Sequence, residues 1–152
     1  MLIKPINGQD ASNLCKEIIV ALPEWFGVDD CNQKYINGVA STECFAGFIN
    51  NKAVALIAIR YHFDQCAEIW WLGSQPAFHG SGVGSALLQE AESAAVQKGF
   101  KYMLVHTLDI GSGDSAYEKT YRFYQKNGYR AFLGPHMEDR KDYTLIYMMK
   151  TF

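Results

Sequence analysis

The chain has 152 residues, of which 49% are apolar and 20% charged, which is typical of one folded domain with a full core and argues against disorder. Its net charge is -2, from 14 Lys and Arg against 16 Asp and Glu, and no basic stripe is present that would bind a nucleic acid. No apolar run reaches the roughly 18 residues that cross a bilayer, and residues 1–10 contain no apolar signal segment, so we expect a cytoplasmic protein without a membrane partner.

The chain begins with a predicted strand and a predicted helix. The strand covers 2–6, and the helix has apolar residues at every fourth position, with Asp10 or Ser12 as its cap and Pro23 as its end. The following segment, 23–27, is a loop that contains two large aromatic side chains. Because aromatic side chains in a loop favour contact with a ligand, this loop is a candidate binding surface.

A second helix and three strands follow. The helix is predicted over 29–39, with Asp29 or Asp30 as its cap. Three strands that should pair antiparallel are predicted over 43–49, 53–62 and 67–74. An Asn-rich turn joins the first two strands, which is typical of a tight hairpin, and Pro76 ends the third.

The second half of the chain predicts two more helices and three more strands. The helices cover 82–98 and 116–127, and each is followed by a glycine suited to end it, Gly99 and Gly128. The strands are predicted over 102–107, 129–133 and 143–150. No repeat or linker interrupts this pattern, so we expect a single domain over 1–152.

A glycine-rich loop, His-Gly-Ser-Gly-Val-Gly-Ser over 79–85, lies between a predicted strand and a predicted helix. Unpaired backbone N–H groups and the positive end of the helix dipole converge at such a point, which predicts an anion site. Gly80, Gly82 and Gly84 lack a Cβ, so the backbone can turn sharply and approach a pyrophosphate closely. Val83 should face the core.

Two common phosphate-binding loops do not match this segment. A dinucleotide fingerprint has the spacing GxGxxG, but here the third glycine, Gly84, comes one residue early and Ser85 follows it. A P-loop has Gly-Lys-Ser/Thr, and no lysine lies between Lys52 and Lys98. A nucleotide-binding α/β protein is therefore a weaker alternative.

The loop does resemble the acetyl-CoA motif of the GNAT acetyltransferases, Gln/Arg-x-x-Gly-x-Gly/Ala, placed over 79–84. The order of predicted elements resembles that family over nearly the whole chain. The resemblance implies a mixed α/β fold of the α+β kind: one GNAT-type domain with a central, mostly antiparallel sheet of six or seven strands, flanked by about four helices. It also implies an N-acetyltransferase that moves acetyl from acetyl-CoA to a primary amine, with no metal.

The resemblance assigns acetyl-CoA binding to two segments and one further residue. These are Leu72, Gly73, Ser74, His79, Gly80, Ser81, Gly82, Val83, Gly84, Ser85 and Tyr117. The chain departs from the family at two of these positions. His79 stands where Gln or Arg is usual, and Tyr117 stands where many relatives have an Asn that contacts the cofactor.

Acetyl transfer needs a base, because an amine with a pKa near 10.4 is protonated at neutral pH. Glu68 lies 11 positions before His79, which resembles the glutamate base of one branch of the family; Glu24 is the other candidate, acting directly or through water. Tyr124 lies in a segment that resembles Phe-Tyr-x-x-x-Gly-Phe, whose tyrosine faces the cofactor sulfur, so it is the implied acid.

The resemblance also implies an acceptor groove with apolar and aromatic walls. Its candidate residues are Glu24, Trp25, Phe26, Tyr35, Trp70 and His106, with the loop over 108–115 nearby. Such walls suit an amine carried on an apolar or aromatic body, either a small molecule or a peptide. The sequence does not identify that amine, and a homodimer also stays open.

The four cysteines, Cys15, Cys31, Cys44 and Cys66, are too few and too widely spaced for a disulfide framework or a CxxC site. Reduced thiols fit best. Cys66 precedes Glu68, away from the cofactor loop, so direct attack by the amine is favoured over a covalent cysteine route. The alternative from another class is a catalytically silent GNAT-like module that senses acyl-CoA or recruits a partner.

Overall fold

The computed structural model describes residues 1–141 and 144–152. Its four α-helices are α1 (Gly8–Ala21), α2 (Asp29–Gly38), α3 (Val83–Gln97) and α4 (Ser115–Lys126). Its seven strands are β1 (Leu2–Ile6), β2 (Glu43–Ile49), β3 (Lys52–His62), β4 (Cys66–Ser74), β5 (Tyr102–Leu108), β6 (Arg130–Leu133) and β7 (Leu145–Thr151). Tyr143, where the last strand was predicted to begin, lies outside the described residues. None of the described helices is long and apolar enough to span a bilayer.

The strands form a single sheet in the order β1-β2-β3-β4-β5-β7-β6. Every neighbouring pair is antiparallel except β4 and β5, which are parallel. The predicted fold class, a mostly antiparallel sheet of six or seven strands with about four helices, is therefore confirmed for the described part of the chain. The parallel pair is joined through α3, as a crossover between parallel strands requires.

The hairpin between β2 and β3 turns at Asn50 and Asn51, as predicted. Their φ angles are 50° and 62°, which is the left-handed conformation at both central positions of a type I′ turn. Asparagine tolerates this conformation better than most residues other than glycine. The turn fixes the register of β3, and through it the position of β4.

The predicted caps of the first two helices are wrong. The cap of α1 is Asn7, so Asp10 lies in the first turn and Ser12 is buried inside the helix. The cap of α2 is Val28, so Asp29 and Asp30 are its first two residues. Carboxylates are favourable at several positions of a first turn because of the helix dipole. An Asp near a helix start therefore shows where the helix begins to within about one turn, but it does not identify the cap residue.

The helices cover both faces of the sheet and divide the core into two clusters. α1 packs on one face, where Ile18 and Leu56 are fully buried, and α3 packs on the other, where Leu87 and Ile57 are fully buried. The start of α3 is seated closely, because a Cβ at Gly47 of β2 would lie 2.4 Å from Cγ2 of Val83. Val83 is 1% exposed, so it faces the core as predicted.

A buried polar group ties α3 to the last strand. The hydroxyl of Tyr129, which is fully buried, donates a hydrogen bond to Glu92 Oε1 at 3.0 Å. Lys150 Nζ donates to Glu92 Oε2 at 2.7 Å. Burial and the charge of Glu92 raise the pKa of Tyr129 well above its ordinary value of 10.0, so the phenol is a proton donor at neutral pH.

We predict that Tyr129→Phe lowers the free energy of unfolding at pH 7 by about 1.5–3 kcal/mol, because Glu92 loses a donor inside the core. The folded-state pKa of Tyr129 is raised, so its stabilising contribution is fully present below pH 10.0 and is lost as the pH rises further. Urea unfolding at pH 7 and above pH 10 should therefore show a difference between wild type and variant that shrinks in alkali. Tyr102→Phe, at a half-buried position of β5, is the control; an equal loss in both variants would contradict the prediction.

Candidate functional site

A gap opens in the sheet where β4 and β5 diverge. The two strands pair only from Cys66 with Tyr102 to Ile69 with Val105. The register of β4 against β3 shifts at the same point, since Ala58 faces Trp71 and Ile59 faces Ile69. Trp70 is therefore an extra residue in β4, and such a bulge bends its strand. Beyond Trp70, β4 stays paired with β3 and β5 stays paired with β7.

Backbone groups of β4 point into this gap. The N–H of Gln75 donates to the carbonyl of Val54 on the β3 side at 2.8 Å, and hydrogen-bonded pairs alternate along antiparallel strands. The N–H and C=O groups of Leu72 and Ser74 therefore face away from β3. One of them is used within the protein, because His79 Nε2 donates to the carbonyl of Ser74 at 3.1 Å.

The glycine-rich loop stands at one end of the gap, at the start of α3. Gly80 and Gly82 have φ angles of 78° and 88°, a left-handed conformation in which a side chain is strained. In the described part of the chain, no acceptor pairs with the N–H groups of Gly80, Gly82, Gly84 and Ser85. Free N–H groups at the positive end of a 15-residue helix fit an anion, as the sequence predicted.

Gly84 has a second role that the sequence analysis did not identify. A Cβ at this position would lie 3.2 Å from both Cε2 and Cζ of Phe123, which is tighter than ordinary van der Waals contact. Gly84 therefore lets α3 and α4 approach each other closely. This spacing positions α4 along the gap.

The loop, the gap and α4 enclose a cleft of about 450 Å³. It brings together most of the residues predicted from the sequence: Trp25, Phe26, Tyr35, Trp70, Leu72, Gly73, Ser74, His79, Gly80, Gly82, Gly84, Ser85, His106, Tyr117 and Tyr124. Four predicted residues are not part of its lining: Glu24, Glu68, Ser81 and Val83. Val83 is in the core, and the hydroxyl of Ser81 accepts from the N–H of Val83 at 3.4 Å.

The two carboxylates considered as bases lie outside the cleft lining. Glu24 is exposed in the turn after α1. Glu68 is half-buried opposite Arg60 of β3, and its Oε2 is 2.5 Å from Nε2 of His62. The sequence analysis did not identify this cross-strand partner, because it depends on the register in which the turn over 63–65 pairs β3 with β4.

Two tyrosines of α4 line the cleft. Burial and the neighbouring Tyr117 raise the pKa of Tyr124, so its hydroxyl stays protonated at neutral pH. Burial also raises the pKa of Tyr117 to about 12. The hydroxyl of Tyr117 donates to the backbone carbonyl of Trp25 at 2.9 Å.

The loop after α1 is held over the cleft by this contact and one more. The indole N–H of Trp25 donates to the hydroxyl of Thr120 on α4 at 2.9 Å, and the ring of Trp25 meets the ring of His79 edge-on at 5.7 Å. Phe26, the next residue, stacks on Trp71 with ring centroids 5.5 Å apart. The two aromatic side chains of this loop therefore form one wall of the cleft.

Sequence analysis missed ten residues that line the cleft, four of which come from α4. They are Leu22, Ile69, Trp71, Phe78, Val105, Thr107, Lys119, Thr120, Phe123 and Lys126. Helical spacing could have found the four on α4. Thr120 lies three residues after Tyr117 and four before Tyr124, Phe123 lies three after Thr120, and Lys119 and Lys126 lie four before and three after Phe123. The two lysines matter most, because they add positive charge to a cleft that already holds free N–H groups.

Neither a thiol nor a metal site is part of the cleft within the described residues. Cys15, Cys44 and Cys66 are buried and Cys31 is exposed on α2, and the cleft lining includes none of them. Burial, with the charge of Glu68, raises the pKa of Cys66, and burial raises that of Cys15 to about 12. Residues 1–141 and 144–152 contain no cluster of His, Cys, Asp or Glu that could hold a metal ion.

Comparison with known proteins gives one family and one fold. The model of the acetyltransferase (GNAT) family matches residues 15–129, whereas no curated protein sequence matches the chain. Three solved structures illustrate the fold: a GNAT-family protein assigned as an acetyltransferase from Desulfovibrio desulfuricans, aminoglycoside 6′-N-acetyltransferase from Enterococcus faecium, and a GNAT-family acetyltransferase from Elizabethkingia anophelis with acetyl-CoA bound.

These three structures superimpose along nearly their whole length. They have TM-scores of 0.81, 0.73 and 0.69, with sequence identities of 15%, 18% and 17%. Each alignment covers 99% of this chain, and 98%, 97% and 97% of the other. At these identities the likeness shows a shared fold.

We predict that Gly84→Ala destabilises the protein by about 1–3 kcal/mol through overpacking against Phe123, and that Phe123→Leu relieves part of this loss. Gly80→Ala should cost about 1–2 kcal/mol for a different reason, its left-handed backbone, and Phe123→Leu should not relieve it. A double-mutant cycle measured by urea unfolding separates the two causes. Strict additivity of Gly84→Ala and Phe123→Leu would contradict the packing role of Gly84.

Proposed function

Because this chain belongs to the acetyltransferase (GNAT) family, we propose that it is an N-acetyltransferase that moves the acetyl group of acetyl-CoA to a primary amine. The amine attacks directly, in a ternary complex, and residues 1–152 act as one N-acetyltransferase domain. The observation that carries the proposal is the set of free N–H groups at the start of α3, beside a gap lined by unpaired backbone groups of β4.

The fit to coenzyme A follows from the charges and backbone groups along the cleft. The N–H groups of Gly80, Gly82, Gly84 and Ser85 suit its diphosphate, with Lys119 and Lys126 adding positive charge. The pantetheine arm is a secondary-amide chain, and the outward N–H and C=O of Leu72 and the N–H of Ser74 can pair with it as with another strand. His79 and Tyr117 lie against the same path but hydrogen-bond within the protein.

The transfer step makes one bond and breaks one. The amine nitrogen bonds to the acetyl carbon of acetyl-CoA, whose thioester supplies the activated acyl group, and the carbon–sulfur bond breaks. The nitrogen loses a proton and the departing thiolate gains one. A backbone N–H of β4 in the gap, such as that of Leu72, is positioned to stabilise the charge on the carbonyl oxygen.

We assign the proton acceptor to Glu68, acting through water. Its carboxylate is near Tyr35, which lines the cleft. Burial is the main cause of the raised pKa of Tyr35, followed by the charge of Cys31 and then that of Glu68. His106 is the alternative, because its ring is exposed within the cleft and stacks on Tyr147 at 4.4 Å. Glu24 is a third candidate, on the exposed turn.

Tyr124 is the proposed donor to the thiolate. Its raised pKa keeps the phenol protonated, so it offers a hydrogen bond to a developing negative charge across the neutral range. A covalent route through a cysteine is disfavoured, because no cysteine lines the described cleft. In this proposal the protein contributes by orienting the two substrates and by transferring protons.

We predict that the wild-type protein binds acetyl-CoA and that Gly80→Ala weakens this binding about tenfold or more. Alanine keeps the N–H but is strained at a φ of 78°, so the loop shifts and the N–H loses its hydrogen bond to the charged diphosphate. Gly99→Ala is a matched control, since Gly80 and Gly99 have φ angles of 78° and 86° and open space around the missing Cβ. Titration calorimetry measures both affinities. Equal effects of the two variants would remove the loop from the binding site.

A panel of amines, with the products identified by mass spectrometry, tests the reaction itself. Acetyl-CoA-dependent formation of an amide that resists hydroxylamine is the expected result. Exposed Cys31 reacts with thiol reagents, so release of coenzyme A is read against an enzyme blank. Tight binding of acetyl-CoA without product from any amine would favour the silent acyl-CoA-binding module.

We predict that Glu68→Gln lowers kcat about 100-fold, with little change in acetyl-CoA affinity, and removes the acidic limb of the pH–rate profile. Tyr124→Phe should lower kcat and keep that limb, because it removes a donor and not the base. An imidazole base and a carboxylate base are protonated in different ranges, near about 6.5 and about 4.3 for unperturbed side chains. If His106→Gln removes the acidic limb of the pH–rate profile and Glu68→Gln retains it, the base is His106 and not Glu68.

A further inference from the structure

The acceptor end of the cleft has walls made of aromatic rings. Trp25 and Phe26 come from the loop after α1, and Tyr35 and Trp70 from α2 and β4. All four side chains are half-buried, so each keeps part of its ring uncovered. Tyr35 meets Trp70 edge-on, with centroids 5.3 Å apart and an angle of 64° between the rings.

These rings are held in place before any acceptor arrives. The guanidinium of Arg60 lies 3.6 Å above the ring of Trp70, and α2 approaches the same ring so closely that a Cβ at Gly38 would lie 2.2 Å from it. Phe26 is fixed by its stacking on the buried Trp71. Fixed walls bind a flat group without a large loss of conformational entropy.

Two polar groups at the wall formed by the loop after α1 are used within the protein. The indole N–H of Trp25 is donated to Thr120, and the hydroxyl of Tyr117 is donated to the backbone of Trp25. Trp25 and Phe26 therefore offer an acceptor mainly ring carbon. An acceptor with many hydroxyl groups would lose hydrogen bonds to water and regain few from these two side chains.

The cleft offers no counter-charge for a polycation. Among the described residues that line it there is no Asp or Glu, whereas Lys119 and Lys126 are present. The nearby carboxylates are used elsewhere: Glu68 pairs with His62, and Asp114 accepts hydrogen bonds from the first turn of α4. A second or third ammonium group would therefore be desolvated without a carboxylate to pair with it.

We propose that the acceptor is a monoamine carried on a flat aromatic body, and that polyamines and aminoglycosides are excluded. This inference rests on the proposed function and narrows its substrate class. It separates the chain from the aminoglycoside acetyltransferase whose fold it shares at 18% identity. The aromatic body lies among Trp25, Phe26, Tyr35 and Trp70, and its amine reaches the gap between β4 and β5.

The test compares kcat/KM for five amines at saturating acetyl-CoA: 2-phenylethylamine, tryptamine, n-hexylamine, spermidine and kanamycin. The two aromatic amines should exceed hexylamine by about threefold to tenfold, as expected for an added ring contact. They should exceed spermidine and kanamycin by about 100-fold or more, because extra charges are unpaired. Equal or higher activity with spermidine or kanamycin overturns the inference, and hexylamine equal to the aromatic amines overturns its aromatic part.

Phe26→Leu tests the wall directly, since it removes a ring and keeps an apolar side chain. The advantage of phenylethylamine over hexylamine should shrink at least about threefold, with the acetyl-CoA affinity unchanged as evidence of a folded protein. Phe63→Leu, at a fully exposed position outside the cleft, should retain the full advantage. An advantage that survives Phe26→Leu undiminished overturns the assigned wall.

The panel also separates failure of this inference from failure of the proposed function. Product from kanamycin or spermidine alone would leave the acetyltransferase standing and remove the aromatic acceptor. No product from any amine, with acetyl-CoA bound, would remove the acetyltransferase and this inference with it.

Discussion

The divergence of β4 from β5 is the feature on which the rest of the site depends. Parallel pairing stops at Ile69 and Val105, and the extra residue Trp70 bends β4 at the same point. Backbone groups that a continuous sheet would pair are left facing a gap, and unpaired backbone groups inside a protein need a partner. These groups face a cleft, so a ligand that enters it can be their hydrogen-bond partner.

Close packing of helices sets the shape of this cleft. Gly47 admits Val83 and so seats the start of α3 on the sheet, while Gly84 admits Phe123 and so brings α4 alongside. Both contacts lie within or beside the loop that presents free N–H groups. A side chain at either glycine would move a helix relative to the gap, so the binding geometry is built into the core rather than added on the surface.

Sequence predicted well what depends on local pattern. Spacing and residue types with strong backbone preferences predicted the Asn50-Asn51 turn and the glycines that end α3 and α4. They also predicted the order of helices and strands along the chain. The helix caps failed because a first turn accepts carboxylates at several positions.

Sequence could not predict what depends on long-range register. The bulge at Trp70 is invisible in a run of apolar residues. The contact of Glu68 with His62 likewise appears only when β3 and β4 are placed side by side. The lysines of the cleft, Lys119 and Lys126, resemble any other exposed helix residues until α4 is placed. The glycine-rich loop could be predicted as an anion site from the sequence, because glycines at close spacing carry information that does not depend on distant contacts.

One helix serves both ends of the cleft. Tyr124, the proposed donor to the thiolate, lines the cleft, and two other residues of α4, Tyr117 and Thr120, hold Trp25 in the wall formed by the loop after α1. A shift of α4 at one end would therefore move Trp25 at the other. Thermodynamic linkage makes such coupling reciprocal, so through two hydrogen bonds to Trp25 each substrate would change the affinity of the other by the same factor.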